Sequence, residues 1–195
     1  MPTSNDKKNK ARPTERHPSF RRGFTMVESL VAITVLVLAV TGVTSAIQTG
    51  ISSYIFSKNQ IIAFYLAQEG FEQIRNMRDE NALNNNRPWL TGIADAGGDP
   101  CYFGFACYVN PIVSNIAYRC GLPGSCPVLQ QDASGFFGYA LAGGVNTIFT
   151  REITLTQIAT DANGPSEISI LVTVSWSKGT NPKQFKAREN LLNWQ

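Results

Sequence analysis

Apolar and polar residues alternate along this chain in three different patterns, and each predicts a different element. From Phe24 to Ser57 the only charged side chain is Glu28, and Leu30 to Val40 reads LVAITVLVLAV, apolar except for Thr34. At 1.5 Å per residue such a run, taken from Phe24 to Ile47, crosses a hydrocarbon core of about 30 Å. Beyond it the apolar positions narrow to one face. Ile51, Ile55, Ile62, Leu66, Phe71 and Ile74 recur at intervals close to a helical turn, with Ser53, Lys58, Gln60, Gln68, Glu72 and Arg75 between them. No proline interrupts Phe24 to Arg87, so the two patterns predict one helix of roughly 50 residues, about 80 Å long. The run Asn81 to Asn86 and then Arg87-Pro88 ends it. Gly42 and Gly50, set among Thr41, Thr44, Ser45 and Thr49, mark its weakest stretch, because each glycine costs about 0.8 to 1 kcal/mol against alanine. A bend or local melting is expected there, or else Gly42 serves close helix packing in a bilayer.

The third pattern has period two. Ile168, Ile170, Val172, Val174 and Trp176 alternate with Ser169, Leu171, Thr173, Ser175 and Ser177, which is the signature of a half-buried strand. Phe149, Ile153 and Leu155 mark a strand before it, with Asp161 to Pro165 as the turn. After Ser177 to Pro182, the segment Gln184 to Arg188 returns as a third strand. An antiparallel meander packed on the amphipathic half-helix buries both apolar faces. Residues 84–147 hold all four cysteines and scattered aromatics (Trp89, Tyr102, Phe103, Phe105, Tyr108, Phe136, Phe137, Tyr139) and read as loop-rich.

Charge sharpens the division. Residues 1–23 carry seven Lys/Arg against Asp6 and Glu15, a net +5, which leaves ten against twelve, a net −2, for residues 24–195. The basic head, with its prolines and few aliphatic residues, cannot bury a core and reads as a solvated leader. Since the basic character belongs to this head alone, nucleic-acid binding is disfavoured.

The junction between head and helix reads Arg21-Arg22-Gly23-Phe24-Thr25-Met26-Val27-Glu28-Ser29-Leu30. It resembles the cleavage and methylation motif of type IV prepilins, in which a basic leader ends in Gly, Phe usually follows, and a Glu sits four residues further on. A carboxylate inside an incipient membrane helix is otherwise rare. The resemblance implies cleavage between Gly23 and Phe24 by a prepilin peptidase, N-methylation of Phe24, and an assembly role for Glu28, whose carboxylate would meet the Phe24 amine of a neighbouring subunit. Further on, Leu66-Ala67-Gln68-Glu69-Gly70-Phe71-Glu72 and the V-x-V-x-W strand Val172 to Trp176 look like those of PilV-type minor pilins and I-type minor pseudopilins of type II secretion. Otherwise Gln68 to Glu72 is a polar helix face with a poorly placed Gly70. The implied fold is α+β and pilin-like, with a long N-terminal helix packed on a C-terminal antiparallel sheet. The implied parts are a leader (1–23), a transmembrane and assembly half-helix (24–50), an amphipathic half-helix (51–83), a Gly/Cys-rich loop region (84–147) and a sheet (148–195). Other pilins, a membrane-embedded assembly platform and the lipid bilayer are the implied partners. The implied location is a single-pass cytoplasmic (inner) membrane precursor with its N-terminus inside, later part of an extracellular or periplasmic filament.

Rival readings meet specific residues. An ordinary secretory signal cut near Thr44-Ser45-Ala46 leaves Glu28 unexplained, and an uncleaved anchor with Glu28 snorkelling leaves Gly23-Phe24 unexplained. Cys101, Cys107, Cys120 and Cys126, even in number and outside the membrane, read as two disulfides. Three pairings are possible, and the turn-forming Gly104 in one gap and Gly121, Pro123 and Gly124 in the other favour Cys101 with Cys107 and Cys120 with Cys126. Zinc is the alternative, although structural sites usually space their ligands two to four residues apart. His17, the single histidine, lies in the leader, so the mature chain lacks the commonest general base. No nucleophile elbow, Walker loop or zinc-protease motif occurs, and neither an enzyme nor a cofactor is expected. Asp95 and Asp99 read as turn residues, with Ca²⁺ at Asp161 and Asn163 conceivable. A structural filament subunit, a minor pilin or pseudopilin, is therefore expected; the alternative is a pilus-borne adhesin that binds through the loops of 84–147.

Overall fold

A computed structural model of the chain describes residues 23–83, 87–110, 116–122, 124–162, 164–178 and 181–193. The leader up to Arg22, His17 included, lies outside the described residues, as do Asn84 to Asn86 and Asn163. The chain falls into two units, one up to Ile51 and one from Ser52 onward.

Helix α1 runs from Met26 to Leu83, 58 residues. Its Met26–Ile51 part is exposed on every side, which no soluble protein tolerates over so many Leu, Ile and Val side chains. It is long and apolar enough to cross a membrane. The local melting expected at Gly42 and Gly50 is not found, because α1 continues through both. The hydroxyls of Thr41, Thr44 and Thr49 each donate to a carbonyl one turn back, at 2.9, 2.8 and 3.1 Å. These polar groups therefore satisfy themselves along the helix and leave no donor unmet in lipid.

In the second unit the same helix becomes one-sided. Ala63, Leu66, Ala67, Gly70, Phe71, Ile74 and Met77 are buried, the three-and-four spacing of a core-facing stripe. They pack in one cluster with Ile153 and Leu155 and with Ile168, Ile170, Val172 and Val174. The strands are β1 (Ala106–Asn110), β2 (Ile116–Arg119), β3 (Val128–Gln131), β4 (Phe137–Gly138), β5 (Val145–Asp161), β6 (Gly164–Lys178) and β7 (Asn181–Leu192). All pairings are antiparallel, and β5, β6 and β7 form the expected meander, with Val172 opposite Ile153 and Ala187. The strands are longer and their turns tighter than the apolar pattern alone implies, since Asp161 already pairs with Gly164 and Lys178 with Asn181.

The region read as loop-rich needs a correction. Within 84–147 lie β1 to β4 and the start of β5. β1 pairs with β5 through Cys107 and Ile153, β3 pairs with β5 through Val128 and Thr150, and β2 and β4 add to β1 and β3. The chain reaches β1 from the helix by a tied connection. Asn81 Nδ2 donates to the carbonyls of Trp89 and Thr91 at 3.2 and 2.9 Å, and Trp89 Nε1 donates to the Pro165 carbonyl at 2.9 Å. Leu90, Ile93 and Trp89 are buried, so the segment after the helix closes the core.

Candidate processing and assembly site

Gly23, Phe24 and Thr25 precede the first helical residue, Met26. Thr25 is the N-cap: its Oγ1 accepts the Glu28 N–H at 3.3 Å, and its carbonyl accepts the Ser29 N–H at 3.2 Å. Thr25 with Glu28 three residues later is the sequence half of a capping box, a signal that the prepilin comparison alone overlooks. It gives Glu28 a local role as well, since a carboxylate in the first turn faces the positive end of the helix dipole. Phe24 and Met26 are 79% and 92% exposed. Among the described residues a Cβ added at Gly23 would meet nothing within 4 Å, and its φ lies outside the left-handed range. Neither packing against the described residues nor backbone geometry requires glycine there. The three residues around the Gly23–Phe24 bond are non-helical, so that bond is free of the intrahelical ladder. Thr44-Ser45-Ala46, by contrast, lies inside α1, with the Thr44 hydroxyl bonded to the Val40 carbonyl.

The run Leu66 to Glu72 is more than a polar face. A Cβ on Gly70 would stand 3.1 Å from Val172 Cγ1 and 3.4 Å from Arg151 Cδ, so glycine lets helix and sheet approach closely. Beside it Glu69 Oε2 accepts from Arg151 Nη1 at 2.9 Å, and the same nitrogen donates to the Leu66 carbonyl at 3.2 Å. Arg151 is fully buried, while the Glu69 side chain is 37% exposed. The Arg151 guanidinium also lies 6.0 Å from the Tyr139 ring centre. Burial raises the Tyr139 hydroxyl above its ordinary pKa, with the Arg151 charge pulling the other way. Arg151 falls on the inward face between Phe149 and Ile153. Period two placed it there, yet a charged residue on an apolar face escapes a search for apolar alternation. Arg75 adds a second tie, donating to Glu189 of β7 and, at 2.6 Å, to Glu72.

The four cysteines form Cys101–Cys107 and Cys120–Cys126 bonds with Cα separations of 5.1 and 4.9 Å. The first lies in the main core and the second in a smaller cluster with Ala106. Asp99 accepts the backbone N–H groups of Asp95 and Ala96 at 2.8 and 3.0 Å, the hydrogen bonding of a turn. Among the described residues no three His, Cys, Asp or Glu side chains come together as a metal set. Of the nine aromatics in 84–147, Trp89 and Tyr139 are core residues, and Phe105, Tyr118 and Phe136 are exposed.

Comparison with known proteins bears on the start of the chain. Residues 19–44 match the family model of the prokaryotic N-terminal methylation motif. No curated protein and no solved structure matches the chain. The matched segment contains Gly23, Phe24 and Glu28, the N-cap at Thr25 and the first turns of α1. The motif and the apolar helix behind it fit a membrane-anchored, type IV prepilin-like chain, of the kind that prepilin peptidase processes and that assembles with other pilins.

Proposed function

We propose that the protein is a minor type IV pilin or pseudopilin, a structural subunit held in the cytoplasmic membrane, cut after Gly23, methylated on Phe24 and drawn into a filament. The observation that carries the reading is a glycine that the fold does not require, one residue ahead of Phe24 and five ahead of Glu28, at the cap of a helix able to span a bilayer. Lack of a Cβ lets a membrane-embedded peptidase approach the backbone closely. The new Phe24 amine, with an ordinary pKa near 7.7 to 8.0, is largely protonated and needs a counter-charge in an apolar bundle, which Glu28 of a neighbour supplies. The exposed rod of Met26–Ile51 supplies the force of assembly, because packing it among like rods keeps its apolar surface from water once it leaves the lipid. The subtype rests on the Leu66 to Glu72 run, where Glu69 and Gly70 each have a structural task. Five of the nine aromatics of 84–147 (Trp89, Phe103, Tyr108, Phe137 and Tyr139) lie in or pack against the main core, so most serve the fold, which favours the structural reading over the adhesin one.

N-terminal mass analysis of protein extracted from its native membrane tests the proposal. A mature start at methylated Phe24 is expected, and Gly23→Leu should abolish it while leaving membrane insertion intact. A start at Ile47, or an intact Met1, would sink the reading.

A further inference from the structure

Strand β7 ends the sheet, pairing with β6 and with no other described strand. In an antiparallel ladder alternate residues turn their N–H and C=O away from the partner, so β7 offers a row of backbone donors and acceptors along its open side. Its side chains sort into two rows. Phe185, Ala187, Glu189 and Leu191 lie on the α1 side, half-buried or buried, while Gln184, Lys186, Arg188 and Asn190 are exposed on the other. Lys186 and Arg188 have no ion-pair partner among the described residues. Carboxylates on their face are engaged elsewhere: Glu152 accepts the Gly124 N–H at 2.6 Å, and Glu167 accepts from Asn190 Nδ2 at 2.8 Å. Between β7 and α1 runs a groove of about 460 Å³ with Phe64, Ala67, Phe71, Phe185 and Ala187 in its walls, and it continues past Ile61 and Tyr65. Ile61, Phe64 and Tyr65 are exposed. The groove's carboxylates are neutralised, Glu69 by Arg151, and Glu72 and Glu189 by Arg75. One side of the open edge is therefore basic and the other apolar.

We propose that β7 is a docking edge for an extended segment of a different protein in which acidic and apolar residues alternate. The segment adds to the sheet as a further strand. Its acidic side chains lie beside Lys186 and Arg188, and its apolar ones enter the groove beside Phe64, Phe185 and Ala187. A second copy of the chain does not fit. Antiparallel pairing of β7 with its own copy, in the registers that keep most of the strand, sets Lys186 opposite Arg188 or sets one of them opposite itself, and like charges directly opposite are destabilising. The other strands at the ends of the sheet, β2 and β4, contain no carboxylate to offer. Guarding an open edge against aggregation explains exposed basic residues, but it does not explain an apolar groove left open beside them. Every residue invoked belongs to the second unit, so the inference stands apart from the reading of processing and anchoring.

The test uses the full chain in detergent micelles, with hydrogen exchange along β7 read by mass spectrometry. Three synthetic peptides are the probes: alternating glutamate and valine, alternating lysine and valine, and the glutamate peptide with its backbone nitrogens methylated. The first should slow exchange along β7. The second meets like charge and the third cannot complete the ladder, so neither should. Lys186→Gln with Arg188→Gln should weaken binding of the glutamate peptide about tenfold, and Lys186→Glu with Arg188→Glu should turn the preference to the lysine peptide. Equal slowing by the two unmethylated peptides, or slowing that survives methylation, would refute strand addition. No slowing by any peptide would reduce the basic row to a guard on the edge and overturn the proposal. Protection already present in the chain alone and lost on dilution would assign the edge to a second copy, which overturns it equally.

Discussion

Glu28 and Glu69 are both carboxylates on one helix, and their replacements should fail in different ways. Glu28 is exposed in the first turn, so Glu28→Leu removes a charge that opposes insertion. The membrane-bound fraction should hold or rise while incorporation into filaments beside wild-type partners falls; unchanged incorporation would remove the counter-charge role. Glu69 holds a buried guanidinium, and Glu69→Ala strands that charge. Loss of a buried pair's partner costs about 3 to 5 kcal/mol; with Glu69 partly solvated, about 2 kcal/mol is expected in denaturant unfolding, and less for Glu69→Gln, which keeps an acceptor. Gly70→Ala gains about 1 kcal/mol in helix propensity but drives a methyl into Val172, a stiff core side chain, at a cost of about 1 to 3 kcal/mol. Net destabilisation should follow, and a stabilised variant would show that the sheet yields. Tyr139 titrates above its ordinary value because burial disfavours the phenolate. Its contribution to stability is complete below about pH 10 and is lost as pH rises through its higher folded value. Tyr139→Phe should therefore flatten the alkaline loss of stability, as followed by denaturant midpoints between pH 8 and 11.

At the scale of elements, the two disulfides are unequal in position and should be unequal in effect. Each closes a loop between cysteines six residues apart, worth about 2 to 2.5 kcal/mol in the chain-entropy view. Cys101 and Cys107 also fill the main core, whereas Cys120 and Cys126 close the loop that donates the Gly124 N–H to Glu152 at 2.6 Å. Replacing Cys101 and Cys107 by serine should lower the unfolding midpoint further than the same change at Cys120 and Cys126. Equal losses would show that loop closure outweighs packing. The elements legible in the sequence are those with a sustained period. α1 and the β5 to β7 meander carry their apolar faces over many residues, and Val172 to Trp176 could be read as a strand without any partner in view. β1 to β4 are two to five residues long. Their stability comes from pairing with distant β5 and from a disulfide, and neither leaves a local pattern. The start of the helix was legible as a motif, while Thr25 as its cap and Arg151 as Glu69's partner required the spacing of polar residues to be weighed as carefully as that of apolar ones.

For the whole molecule, the amphipathic half-helix forms one wall of the core and the sheet the other. Ala63, Leu66, Phe71 and Ile74 are core residues, so a soluble piece starting near residue 80 loses one wall of its interior. A piece starting at Ser52 should unfold cooperatively and one starting at residue 80 should not, as circular dichroism during thermal melting would show. The boundary between the two units, at Ile51 and Ser52, falls in the middle of an unbroken helix. In the proposed filament role, drawing the apolar rod out of the bilayer would pull on the folded head through helix and not through a loop. Such tension would load the contact between α1 and the sheet in shear, where the Glu69–Arg151 bridge and the Gly70–Val172 approach resist sliding. Survival under such a load is set by the rate of unfolding rather than by the equilibrium stability. Substitutions at these four residues should accordingly weaken the protein under force even where its resting stability in solution is adequate.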